Sequence, residues 1–150
     1  MANAKHLIEL PVPIEKIWAF ISEIDNWATT VPGYVSHEIL NDKQSIWAIK
    51  GDMGIIKKTA KIKVEITEWV EPKKVSFTFK SISGDFTGKG HYKAEAIDEN
   101  RTQVIGYLLI EPENTKGPLA TAQKTVLKKF VPKTTKEMTT AVAQQIHTLT

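Results

Sequence analysis

Ala60-Lys61-Ile62-Lys63-Val64-Glu65-Ile66-Thr67 alternates apolar and polar side chains for eight residues. A period of two puts every second side chain on the same side of an extended chain. This stretch is therefore a half-buried strand, with Ala60, Ile62, Val64 and Ile66 inward and two lysines, a glutamate and a threonine in water. It sits in a longer strand predicted over Ile55–Val70. Glu71-Pro72-Lys73-Lys74 turns the chain, and Val75, Phe77 and Phe79 continue the alternation against Ser76, Thr78 and Lys80. After a turn at Ser83-Gly84-Asp85, Phe86, Gly88, Gly90, Tyr92, Ala94 and Ala96 share a face. Asp98-Glu99-Asn100 makes the next turn, and Val104, Gly106, Leu108 and Ile110 share one face of the last strand.

Reading toward the N-terminus, Tyr34–Leu40 and Gln44–Lys50 are two more strands joined at Asn41-Asp42-Lys43. Either Ile46-Ala48 or Trp47-Ile49 is apolar enough to face inward, so the parity of the second strand stays open. Val31-Pro32-Gly33-Tyr34 has proline and glycine where a type II turn prefers them. Before it, Ile14, Ile17, Trp18 and Ile21 follow helical spacing behind Pro13, which suits a first helical position. Asp25-Asn26 ends that helix, and Trp27–Thr30 forms a second short one. Lys5–Leu10 is a first strand, stopped by Pro11 and Pro13.

From Gly117 the pattern is helical, with Leu119, Ala122, Val126, Phe130, Thr134, Met138 and Ala141 on one face. Pro132 interrupts it, and an interior proline costs about 3 kcal/mol. The string Thr134-Thr135-Lys136-Glu137 fits a capping box. The helix is thus expected either to kink near Val131 or to restart near Thr134, which makes its second half a candidate gate. The order is β-α-α-β6-α: one α+β domain over residues 1–150, about seven antiparallel strands curved around a long C-terminal helix. That helix is the one element long enough to cover the sheet's apolar face.

Composition narrows the function. The 150 residues include no cysteine, which removes disulfides, thiolate metal sites and cysteine nucleophiles. Twenty basic and 17 acidic side chains leave a net charge of +3. The lysines are spread rather than clustered with aromatics, which speaks against nucleic acid. The first residues carry no signal-peptide apolar region, and no run approaches the ~18 apolar residues of a membrane span. A cytoplasmic protein is expected. Lys57, Lys61, Lys63, Lys73 and Lys74 are read as an ordinary solvated strand face, with membrane contact at most peripheral.

The search for catalytic chemistry returns little. Gly88-Lys89-Gly90 lacks a third glycine and lies in a strand. His37-Glu38 begins like a zinc motif, but Asn41 stands where a second histidine belongs. His6, His91 and His147 are scattered, and each histidine reads as an ordinary surface or satisfied group. Glu65 and Glu68 are expected on opposite faces. No inward cluster of arginine, histidine or aspartate is apparent, and Tyr92 is the only inward ionisable candidate. No metal or cofactor is called for.

The remaining signal is apolar. Trp47, Ile62, Val64, Phe77, Phe79, Phe86, Tyr92, Val104 and Leu108 are expected on the helix side of the sheet. Leu119, Val126, Phe130 and Met138 face them from the helix. Gly88, Gly90 and Gly106, with Ala94, Ala96 and Ala122, put small side chains where a filled core wants volume. Met138, together with Met53, suits a flexible wall. A ligand cavity lined by these residues is the expectation, beside the alternative of a packed core.

The string from Glu9 to Ile21 (Glu9-Leu10-Pro11-Val12-Pro13-Ile14 and onward through Trp18), with Asp25, Trp27 and Val31-Pro32-Gly33, resembles the START-like helix-grip superfamily, SRPBCC. The Pro-Gly pair, Ala60–Glu65 and Gly117-Pro118-Leu119-Ala120 resemble the subgroup similar to the G-type accessory subunit of carbon monoxide dehydrogenase. The resemblance covers nearly the whole chain through structural motifs. It implies a hydrophobic ligand cavity and, in that subgroup, an accessory role to a molybdenum hydroxylase with a membrane quinone as ligand. It brings no catalytic residues. The expected function is non-catalytic carriage of a small hydrophobic molecule: a quinone, a lipid or a polyketide-like compound. About 20 heavy atoms at ~0.3 kcal/mol each would give tens of micromolar affinity. The alternatives are an enzyme of the polyketide cyclase/aromatase kind, with Tyr92 moving protons, and an adaptor for a protein partner.

Overall fold

A computed structural model describes residues 2–50, 59–82, 86–112 and 117–149, with the side chains of residues 2, 117–124, 126 and 149 outside that description. In chain order the elements are β1 (Ala2–Leu10), α1 (Ile14–Ile21), α2 (Ile24–Trp27), a 3₁₀ turn (Ala28–Thr30), β2 (Tyr34–Ile39), β3 (Gln44–Lys50), β4 (Thr59–Val70), β5 (Lys74–Ser81), β6 (Phe86–Asp98), β7 (Arg101–Pro112) and α3 (Gly117–Leu149). The seven strands form one antiparallel sheet in the order β1-β7-β6-β5-β4-β3-β2. Six strands follow the chain as a meander, and β1 closes on β7 with Ala4 opposite Leu108 and Ile8 opposite Val104. The expected strand start at Ile55, the turn at 83–85 and Met53 lie outside the described residues.

The strand alternation becomes burial directly. Ile62, Val64 and Ile66 are buried while Lys61, Lys63 and Glu65 are exposed. On β3 the open parity resolves: Ser45, Trp47 and Ile49 are buried, and Ile46 and Ala48 face the other side. On β4 an irregularity changes faces. A bulge between Ile66 and Glu68 adds a residue to β4, so Glu65 and Glu68 share the wet face rather than opposing each other. Ala96 keeps its inward register, opposite Thr102, but lies in the exposed end of β6 together with Glu95, Ile97 and Asp98.

The first helix starts at Ile14. Pro13 stands just before it with φ −61° and ψ 150°, and its carbonyl accepts the first helical bonds from Lys16 and Ile17. Asp25 and Asn26 lie inside α2 rather than breaking the helical segment. Asn26 Nδ2 donates to Phe20 O at 3.2 Å, folding α2 back on α1. The expected type II turn follows at residues 31–34: Tyr34 N–H donates to Val31 O at 3.0 Å, and Gly33 has φ +82°, which favours glycine.

Pro132 lies inside a single continuous α3, so the restart and the capping box at Thr134 are corrected. Proline removes one backbone donor, yet the flanking turns hold. Thr135 Oγ1 donates to Val131 O at 2.7 Å, and Thr139 Oγ1 donates to Thr135 O at 2.7 Å. Thr134, the N-cap candidate, lies well inside the helix and so caps no terminus. The buried stripe of α3 also runs wider than the expected face. It includes Leu127, Val131, Val142 and Ile146, and packs mainly on β1 and β7.

A candidate ligand cavity

Between the sheet and α3 lies an apolar cavity of about 90 Å³. Trp47 and Ile49 reach it from β3, Ile62 and Val64 from β4, and Phe77 and Phe79 from β5. Phe86 comes from β6, and Leu108 and Ile110 from β7. Phe130, Thr134 and Met138 enter from α3 at i, i+4 and i+8, one helical stripe. Trp27, Val31 and Pro32 close the remaining side. Val31, Pro32, Phe79 and Phe130 are only half-buried, and so mark the wall nearest to solvent.

Of the residues expected here, Trp47, Ile62, Val64, Phe77, Phe79, Phe86, Leu108, Phe130 and Met138 come together on this cavity. Tyr92 and Val104 do not reach it. Both are buried on the same inner face, but Tyr92 packs edge-on against Trp27, with ring centroids 5.3 Å apart. The side chains of Leu119, Ala122 and Val126 lie outside the described residues. Trp27, Val31 and Pro32 escape a reading by periodicity because they belong to a short helix and a turn, whose docking no local pattern encodes.

The glycines do not make the cavity, contrary to expectation. Opposite Gly88 stands Phe79 and opposite Gly90 stands Phe77. A Cβ at Gly88 would lie 2.2 Å from Phe79 Cζ, and one at Gly90 would lie 2.7 Å from Phe77 Cζ. The rings lie across the glycines and fill the space that a larger side chain would need. The cavity is walled instead by an aromatic framework. Trp27 sits 5.6 Å from Trp47 and 5.3 Å from Phe77, each tilted, and such rings leave gaps at their edges.

Two features of the electrostatics matter. Tyr92 Oη is buried and has no hydrogen bond among the described residues. The Thr30 hydroxyl nearby is committed as a donor to Trp27 O at 2.5 Å. Burial pushes the Tyr92 phenol well above its ordinary range, with Thr30 opposing only weakly. Fully buried, outside the cavity lining and with no hydrogen-bonded group among the described residues to pass a proton to, Tyr92 loses the role that the enzyme alternative assigned to it.

His37 is the reverse case. It is not an ordinary surface histidine: its side chain is 13% exposed and faces Trp47 across the β2–β3 pairing. His37 Nδ1 lies 2.5 Å from Tyr34 Oη, and Nε2 lies 2.6 Å from Asp25 Oδ1. His37 is thus a satisfied histidine paired with Tyr34 on the inner side of β2, while Asp25 at its other end is 71% exposed and none of the three lines the cavity. The described residues hold no group of three or more side chains suited to a metal.

On the outer face of the sheet His91 stacks on Tyr107, with centroids 5.0 Å apart and planes 24° apart. Burial, then Lys74, Lys5 and Lys93, depress its pKa to about 4. Depression means the unfolded chain binds the proton first. Stability is thus full above the ordinary histidine pKa of 6.5 and falls as pH drops from there through about 4. After discounting for the partly exposed ring, the loss is about 1–2 kcal/mol. A His91→Gln variant is expected to flatten this sag in urea unfolding measured between those pH values, and an unchanged sag would assign it to other groups.

Comparison with known proteins fits this geometry. One family model matches residues 1–147. A START superfamily protein from Mycobacterium smegmatis superposes with a TM-score of 0.77 at 13% identity, covering 100% of both chains. The chain has the START-like helix-grip fold. A conserved protein from Geobacillus kaustophilus superposes with a TM-score of 0.80 at 16% identity over 97% of this chain and 95% of that one. An aromatase/cyclase from Streptomyces sp. R1128 gives 0.76 at 13% identity over 97% and 93%. No curated protein matches the chain. The START-like helix-grip architecture is therefore established, with sheet and α3 enclosing the cavity. Among the described residues no helix is long and apolar enough to cross a membrane.

Proposed function

We propose that this START-like protein binds and carries a small hydrophobic molecule in the cavity between sheet and α3. The observation that carries this reading is the cavity itself: every lining side chain except Thr134 is apolar, in a fold shared with a START protein and an aromatase/cyclase. Its volume of about 90 Å³ sets a condition. Pockets for drug-sized ligands run to roughly 300–1,000 Å³, so a ligand of about 20 heavy atoms needs the walls to part. The half-buried Phe79 and Phe130 are the side chains that can swing with least loss of packing. The narrower role, carriage of a quinone beside a molybdenum hydroxylase, rests on the local strings at Pro32-Gly33, Ala60–Glu65 and Gly117–Ala120.

Native mass spectrometry of freshly purified protein, followed by lipid extraction and titration with naphthoquinones and fatty acids, tests the reading. Val64→Phe is the matched control. Adding a ring inside so small a cavity is expected to weaken ligand binding by about tenfold or more, at a folding cost of about 1–3 kcal/mol. Protein that is always ligand-free and takes up neither probe class overturns the proposal.

A further inference from the structure

Positions 34 and 37 are three apart, and on a regular strand they would face opposite sides. The bulge between Tyr34 and Ser36 changes that, setting Tyr34 opposite Ile49 and His37 opposite Trp47 on the inner face of β2. Both rings pack on Trp47, Tyr34 edge-on at 6.3 Å and His37 tilted at 5.9 Å. Trp47 is pinned by its own Nε1–H donating to Ser45 Oγ at 2.8 Å, and its indole is a cavity wall. Tyr34 is also tied through its amide to Val31, which with Pro32 forms the half-buried side of that cavity. Asp25, His37 and Tyr34 thus stand behind the half-buried side of the cavity: none of them lines it, but Tyr34 and His37 pack on Trp47 and Tyr34 is bonded to Val31, both of which do. Asp25 borders a separate surface groove with Ser22, Glu23, Asn41 and Asp42, and its side chain is 71% exposed.

The hydrogen-bond directions follow from the chemistry of the three groups. A carboxylate only accepts, so His37 Nε2 carries a proton and donates to Asp25. In the neutral ring Nδ1 is then bare, and Tyr34 O–H must donate into it. The lone pairs of Tyr34 Oη are left to receive a donor. A ligand carbonyl has none to give, whereas an acidic hydroxyl does.

We propose that Asp25, His37 and Tyr34 form a proton relay that takes the proton of an acidic hydroxyl (a phenol, an enol or a hydroquinone) on a ligand whose apolar body occupies the cavity. This rests on the ligand-binding reading above. The ligand O–H bond breaks as its proton joins Tyr34 Oη. The tyrosine's own proton passes to His37 Nδ1, giving an imidazolium. The products are a ligand oxyanion accepting from Tyr34, an intact phenol accepting from Nδ1–H, and the imidazolium still donating to Asp25. No proton is gained or lost, and each hydrogen bond survives, with its direction reversed along both the ligand–Tyr34 and the Tyr34–His37 links and unchanged between His37 and Asp25. The carboxylate of Asp25 holds the new positive charge, with Glu23 and Asp42 beside it in the groove. Among the described residues Asp25 and Tyr34 are the titratable groups that touch His37, and β3 offers it only Trp47.

The test uses 4-nitrophenol and its hydroxyl-free match, nitrobenzene, on the full chain. The visible phenolate absorbance reports ionisation of the bound probe directly. Bound nitrophenol is expected to ionise with an acidity raised about tenfold over free probe. Tyr34→Phe and His37→Gln are expected to abolish that shift and weaken nitrophenol binding about tenfold, while nitrobenzene binding changes less than about twofold. Asp25→Asn, at an exposed position, is expected to reduce the shift without affecting the thermal midpoint. If both probes bind but the shift is missing, or persists in Tyr34→Phe, the relay is overturned and the cavity stands. If neither probe binds, both readings fall.

Discussion

Trp27→Ala is expected to lower the unfolding free energy by about 3–5 kcal/mol, a large fraction of what a domain this size has. The indole is 1% exposed and touches Trp47, Phe77 and Tyr92 at once. Its Nε1–H donates to Ile21 O at 3.0 Å, joining α2 to α1. Truncation to alanine removes the ring contacts and that bond together, and the void opens next to a cavity that already exists, so little collapse is available to offset it. Trp27→Phe keeps much of the volume but leaves the Ile21 carbonyl without its partner, and about 1–3 kcal/mol is expected. Urea unfolding monitored by far-UV circular dichroism separates the two. An alanine variant losing under about 1 kcal/mol would mean the α2 segment does not form part of the cooperative core. A variant that folds at low temperature is expected to accept larger ligands.

Gly106→Val is expected to destabilise by about 3 kcal/mol, and Gly106→Ala by about 1–3. On propensity alone the sign should be the opposite, because glycine in a strand costs about 0.5–1 kcal/mol relative to alanine. The reason for the reversal is α3. A Cβ at Gly106 would lie 2.0 Å from Thr139 Oγ1 and 3.1 Å from Thr139 Cβ. The hydroxyl is held by its bond to Thr135 O, so it cannot rotate away freely. Thr139→Ala in the Gly106→Ala background is expected to restore about 1 kcal/mol or more, a coupling that a double-mutant cycle measures. Additive losses would show that the helix yields instead of the threonine.

These two positions show where the chain's legibility ends. Gly106 is visible in the sequence as a small residue on an inward face, and the local pattern around it points to open space. That space is occupied by Thr139, from an element far along the chain, as Phe79 and Phe77 occupy the space at Gly88 and Gly90. A gap beside a glycine in one strand says nothing about what a neighbouring element inserts into it. Trp27 is a comparable case. It reads as part of a short helix, and only the docking of α2 against the sheet makes it the centre of the aromatic cluster.

The polar trio is illegible for a different reason. His37 and Tyr34 are placed on one face by a bulge, and bulges leave almost no trace in an apolar/polar pattern. The same limit governs Glu68, re-aimed by the bulge in β4. Where strands are regular the reading holds residue by residue, as at Ile62, Val64, Phe77 and Leu108. Trp47 joins that set once its parity is resolved.

The alternation in Ala60–Thr67 by itself determined one wet and one buried face on β4, and the same logic over β5 to β7 determined the sheet and its need for a helical cover. That follows because side-chain direction in an extended chain is a local property of the backbone. Tertiary structure alone decided which inward residues enclose a void, what fills the space over the glycines, and which polar groups meet beside Trp47. Those depend on the packing of elements distant in sequence, which a local period does not carry.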